Sequence, residues 1–154
     1  MHISWDFLNK RQAAINAVED YGRMKYIIDH TDEEIMKIRN RMESMGGGAL
    51  DGMPHGSNPS STEDRIIDGI EEIDTLKERY RRAVEYMSWF KPAWDFLSED
   101  ERYVLSTFHM AGKSKNAVDI VSDHFNIERS SVYVRHKRAA KHLATLLYGT
   151  IFPE

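Results

Sequence analysis

Residues 127–143 read Ile127-Glu128-Arg129-Ser130-Ser131-Val132-Tyr133-Val134-Arg135-His136-Lys137-Arg138-Ala139-Ala140-Lys141-His142-Leu143. Val132, Ala139 and Leu143 recur at helical spacing and mark a side to be buried, with Ala139 small where two backbones would crowd. The opposite side collects Arg129, Ser130, Ser131, Tyr133, Val134, Arg135, Lys137, Arg138 and Lys141. Between Arg129 and His142 there are five basic residues and no acidic one, so this helix is positively charged along its length. It should run to about Tyr148 and stop at Gly149.

Upstream, Ala117, Val118, Ile120, Val121 and Phe125 predict a second, shorter helix, with Asn126 at a tight corner before the basic one. Upstream again, Leu97-Ser98-Glu99-Asp100-Glu101 is a helix start: Ser98 can cap, and the acids oppose the positive helix end. Val104, Leu105 and Phe108 continue its apolar face, and Gly112 is expected to close it. A helix, a short turn and a longer basic helix are the ingredients of a helix-turn-helix. In such a unit the N-terminal residues of the second helix reach base edges. Arginine grips guanine in bidentate fashion and serine bonds several bases, which suits Arg129, Ser130 and Ser131. Lys137, Arg138 and Lys141, further along, suit phosphates. A charge run of this kind also fits a merely solvated helix face.

The rest of the chain predicts two long helices. Phe7, Ala14, Tyr21, Ile28, Ile35 and Met42 fall every seven residues, with Ala17, Met24, Ile38 and Met45 on a second seam. Residues 5–45 therefore fit one long helix, or two in line with a break near His30 and a Thr31-Asp32-Glu33-Glu34 capping box. Residues 46–61 hold five of the nine glycines and two of the four prolines, so they read as a flexible linker. Thr62-Glu63-Asp64 starts the next helix, to about Pro92, with Ile66, Ile70, Ile73, Tyr80, Val84 and Met87 as its seam. Neither stripe can be buried alone, so the two helices should fold back as an antiparallel hairpin or pair with another copy. Met42, Met45 and Met53 fit core filling better than an adaptable contact surface. Trp89, Phe90, Trp94 and Phe96 are an aromatic cluster, expected to pack the hairpin against the C-terminal module. The expected divisions are 1–45, 46–61, 62–92 and 93–154, in an all-α fold.

Composition sets further bounds. The chain has 154 residues and no cysteine, which excludes disulfides, Cys-ligated zinc and thiol catalysis. No apolar run spans a bilayer, and the N-terminus lacks signal-peptide features, so a cytoplasmic setting and no membrane partner are expected. Net charge is −4, yet from Ser98 onward 8 basic residues meet 7 acidic ones, leaving the acidic excess in the remainder. An acidic body with one basic helix suits a protein that touches phosphate through a single element. His109, His124, His136 and His142 show no metal-binding spacing, and the carboxylate runs Glu71-Glu72 with Asp74 and Asp32-Glu33-Glu34 have no acid–base partner. No cofactor, metal site or enzymatic activity is expected.

Residues 97–143 resemble region 4 of the sigma-70 family. The similarity is carried by Leu97-Ser98-Glu99-Asp100-Glu101-Arg102, Val104-Leu105, Gly112-Lys113-Ser114, Ile127-Glu128-Arg129-Ser130-Ser131-Val132-Tyr133 and Lys137-Arg138-Ala139-Ala140-Lys141-His142-Leu143. The layout of helical pair, Gly/Pro/Ser loop and C-terminal module is similar to small phage and prophage proteins, some of them late-transcription regulators of the ArpU and RinA types. That resemblance implies a hairpin followed by a three-helix module binding double-stranded DNA. Arg129, Ser130, Ser131, Tyr133 and Val134 would read it, with Lys137 and Arg138 on the backbone. RNA polymerase is the further partner it implies. A symmetric operator would call for a homodimer, which Ile70, Ile73, Tyr80 and Val84 are placed to supply. The competing expectation is an interaction or phage assembly protein whose helix-turn-helix is only a fold.

Overall fold

The computed structural model describes residues 9–46, 59–110 and 116–149. Among these residues the fold is all-α, with α1 (Lys10–Gly46), α2 (Pro59–Phe96), α3 (Glu99–His109), α4 (Ala117–Phe125) and α5 (Arg129–Tyr148). None of these helices is long and apolar enough to cross a membrane. Phe7, Met53, Gly112 and most of the 46–61 stretch lie outside the described residues, as does the Met45 side chain.

The chain divides into two compact units, one of residues 25–85 and one of residues 1–24 with 86–154, so α1 and α2 each supply residues to both. In the first unit Ile35, Ile38, Ile73 and Leu76 form the core, with Met42 packed against it. Contacts rise along α2 as they fall along α1: a Cβ on Gly69 would lie 2.7 Å from the Met42 sulfur, and Arg41 meets Glu72 at 2.8 Å. At Gly69 the Met42 side chain takes the space that a Cβ would fill.

Three expectations are corrected in this unit. α1 is unbroken through His30, and Thr31 is no cap: it sits mid-helix, 3% exposed, its hydroxyl donating to the Ile27 carbonyl. Thr31 fills the vacant place in the seam of Met24 and Ile38, so the heptad spacing outweighs the local capping signal. α2 starts at Pro59 rather than Thr62, since proline is well suited to the first helical turn. Its seam also runs through Gly69, Ile73, Leu76 and Ala83, whereas Ile70, Tyr80 and Val84 are exposed. The branched side chains at 70 and 84 mimic a seam that the smaller or less conspicuous residues beside them occupy.

In the second unit Ala14, Ala17 and Val18 of α1 share one core with Phe90 and Trp94 of α2, Leu97 and Leu105, and Ala139, Ala140, Leu143, Ala144 and Leu147 of α5. Small residues on α1 and α5 leave room for the rings: Phe90 stacks on Tyr86 and Trp94, with centroids 5.2 and 5.6 Å apart. The Tyr86 hydroxyl donates to the Ala17 carbonyl. This packing carries α2 past Pro92 to Phe96, because burying Phe90 and Trp94 on either side outweighs a proline cost of about 3 kcal/mol. Of the four aromatics, Phe90 and Trp94 are core; Trp89 is half-exposed against Tyr148, and Phe96 is 72% exposed.

Candidate functional site

Ser98 caps α3 as its sequence implies, its hydroxyl oxygen accepting from the Glu101 N–H at 3.2 Å, with Glu99, Asp100 and Glu101 in the first turn. The helix ends at His109, with Met110 as C-cap in right-handed geometry, before the expected closure at Gly112. Arg102 donates to the Asp95 carbonyl at the C-terminus of α2, 3.1 Å away, and so fixes where α3 begins.

α3, α4 and α5 pack around Val104, Val121 and Val132, each at most 2% exposed, with Tyr103, Phe108, Val118, Phe125 and Ile127 against them. One valine from each helix makes a small, shape-restricted centre. Between α4 and α5 the chain turns in three residues, Asn126 to Glu128. Asn126 takes the left-handed conformation, φ 52°, which asparagine tolerates better than most side chains. Ser122 holds the corner: its carbonyl accepts from the N–H groups of Asn126 and Ile127, and its hydroxyl donates to the Ile127 carbonyl at 2.6 Å. Glu128 is the N-cap of α5 by position and makes no side-chain capping bond.

The outward side of α5 carries the residues singled out from sequence. Arg129, Ser130, Arg135, Lys137, Arg138 and Lys141 are exposed, Tyr133 is 56% and Val134 48% exposed, and Ser131 is half-buried at the edge of the face. α4 engages two of the cations. Arg129 Nη1 lies 3.0 Å from Asp119 Oδ1, and the Arg135 guanidinium carbon lies 4.5 Å from the centre of the Phe125 ring. Among the described residues, Lys137, Arg138 and Lys141 have no carboxylate partner. Asp119 and Ser122 drew no notice as isolated residues. Their roles come from what stands opposite, and only the helix-cap logic around Asn126 pointed to that corner.

Behind this face His109 and His136 pack against each other. His109 and His136 meet through their Nε2 atoms at 2.7 Å, and Glu19 Oε1 lies 3.4 Å from His109 Nδ1. With Glu19 at Nδ1, the neutral tautomer of His109 leaves Nε2 as acceptor, so His136 donates. Burial, the His109 ring and Arg11 together hold His136 well below the usual imidazole range, down to about 4; burial lowers His109 as well, against Glu19. His142 contacts Glu101 at 2.6 Å and His124 stacks on Tyr103 at 3.9 Å. Among the described residues no three His, Asp or Glu side chains converge to hold a metal ion. No family model, curated protein or solved structure matches this chain.

Proposed function

We propose that this chain binds double-stranded DNA through a helix-turn-helix made by α4 and α5, with α5 entering the major groove. The observation that carries this reading is the outward side of α5. Five cations are spread along a helix without a single acid, and its other side is fixed by the Val104–Val121–Val132 centre and the aromatic core. A helix presenting itself to a groove needs that division: one side anchored, the other long, exposed and basic. Ser130, Tyr133 and Val134 give this side chemistry beyond charge, since hydroxyls bond base edges and apolar groups meet the thymine methyl. Arg129 and Ser131 complete the reading set near its start, Lys137, Arg138 and Lys141 reach the backbone, and Arg135 lies between the two groups, stacked on Phe125.

In this reading the first two helices form an antiparallel hairpin and α3–α5 the DNA module. Transcription regulation of the phage type, with RNA polymerase as second partner, is the biological setting that the sigma region 4 resemblance supports. The test is a binding titration with the native chain and a Lys137→Ala/Arg138→Ala double variant. DNA binding that the double variant weakens on every duplex alike supports the assignment; equal affinities refute it.

A second reading, an assembly protein that oligomerises through its hairpin, is favoured by exposed Ile67, Ile70, Tyr80 and Val84 on α2. Ile73 is buried inside its own unit and is not available for that contact. Sedimentation equilibrium tests this reading: self-association lost on Ile67→Lys/Ile70→Lys supports it, and a concentration-independent monomer contradicts it.

A further inference from the structure

Among the described residues, Arg129 is the one cation of α5 held by a carboxylate. Its Nη1 is 3.0 Å from Asp119 Oδ1, and both side chains are more than half exposed. An exposed pair of this kind adds little stability. Its consequence is electrostatic and geometric. A guanidinium has a rigid fork of donors, so a carboxylate on Nη1 leaves the remaining N–H groups to meet another acceptor. Asp123 lies one helical turn beyond Asp119 on the same side of α4, and Glu128 precedes Arg129 without a capping bond. Arg129 therefore stands in acidic surroundings that discourage phosphate, whereas among the described residues Lys137, Arg138 and Lys141 form no ion pair with a carboxylate.

From this pairing we infer that Asp119 is a specificity-determining residue: it turns Arg129 from a phosphate contact into a reader of guanine. The inference rests on the DNA-binding reading above and adds a division of labour to it. The donors of Arg129 that Asp119 leaves over match the O6 and N7 acceptors of guanine in the major groove. The Asp119 carboxylate, kept near the same base pair, accepts from an exposed cytosine amino group and repels the phosphates on either side. Asp119 thus acts on binding in two opposite directions. It lowers affinity for DNA in general and raises the preference for one base pair.

That opposition makes the role separable from a structural one. The probe is a pool of duplexes randomised at the centre, from which the full native chain selects its own preferred sequence. That duplex, and variants with each selected guanine replaced, are then titrated across salt concentration with native protein, Asp119→Asn, Asp119→Glu and Arg129→Ala. For the native chain, replacing one guanine should cost on the order of 10- to 100-fold in affinity. Asp119→Asn should reduce that discrimination to within about threefold. It should also bind non-preferred duplexes more tightly, with a salt dependence steeper by about 0.9, because Arg129 now neutralises a phosphate. Arg129→Ala should lose the same discrimination at the native salt dependence, and Asp119→Glu should restore most of it. Unchanged discrimination in Asp119→Asn overturns the inference. So does a uniform loss on all duplexes with no steepening of the salt dependence, which is the mark of a merely structural residue. A native chain that enriches no sequence and binds no duplex refutes the DNA-binding reading itself, and this inference with it.

Discussion

Thr31 shows how one residue sets the character of a seam. It occupies a core position in α1, and its hydroxyl is satisfied by the Ile27 carbonyl of its own helix rather than by a neighbouring element. Nothing across the interface depends on the oxygen, so Thr31→Val removes a buried polar group without orphaning a partner. The variant should be as stable as the native chain or more stable by up to about 1 kcal/mol, read as a shifted urea midpoint at unchanged slope. A loss above that size would mean the hydroxyl serves a partner outside the helix. His136 behaves oppositely. It is held neutral by burial, by His109 and by Arg11, with its folded value near 4 against an unfolded value of about 6.5. The unfolded chain therefore binds more protons between those values, and the contribution of His136 to stability is complete above about pH 6.5 and is lost as pH falls toward 4. His136→Leu should flatten the fall of the melting temperature over that window, and parallel curves for the two proteins would contradict this origin.

At the scale of elements, the corner between α4 and α5 is the most demanding local geometry. Asn126 adopts φ 52° and Ser122 ties the turn from both sides. Asn126→Ala should cost about 1–2 kcal/mol in a thermal or denaturant melt, and Asn126→Gly should be near neutral. Equal effects would mean that the backbone strain lies elsewhere. This corner was legible in the sequence because asparagine between two apolar-patterned helices is a local signal, and so were the Ser98 cap and the end at Gly149. The long helices were legible in kind and less so in detail. Seven-residue spacing revealed one seam of α2, but Ile70 and Val84 outshone Gly69, Leu76 and Ala83, since hydrophobicity ranks residues by size whereas a close helix pair selects for fit. Pro92 looked like a boundary because its local cost is real; the burial of Phe90 and Trp94 that overrides it depends on residues far away in sequence. The basic side of α5 was visible for the same reason as its helix, being local. Its engagement by Asp119 and Phe125 was not, because a pairing across a turn leaves no periodic trace.

Over the whole molecule, a net charge of −4 coexists with one helix that bears only positive charge, so a polyanion should be attracted to one face and repelled elsewhere. This distribution limits non-specific binding and leaves the few phosphate contacts of α5 to carry the electrostatic part of affinity. If Lys137, Arg138 and Lys141 each neutralise one phosphate, log K should fall with log salt at a slope of about −2.7. Fluorescence anisotropy of a labelled mixed-sequence duplex, titrated with the full chain at about 50 and about 200 mM monovalent salt, tests that claim most directly. The account predicts measurable binding that weakens on the order of 40-fold across this range. Absence of binding at the lower salt, or binding indifferent to salt, would contradict it.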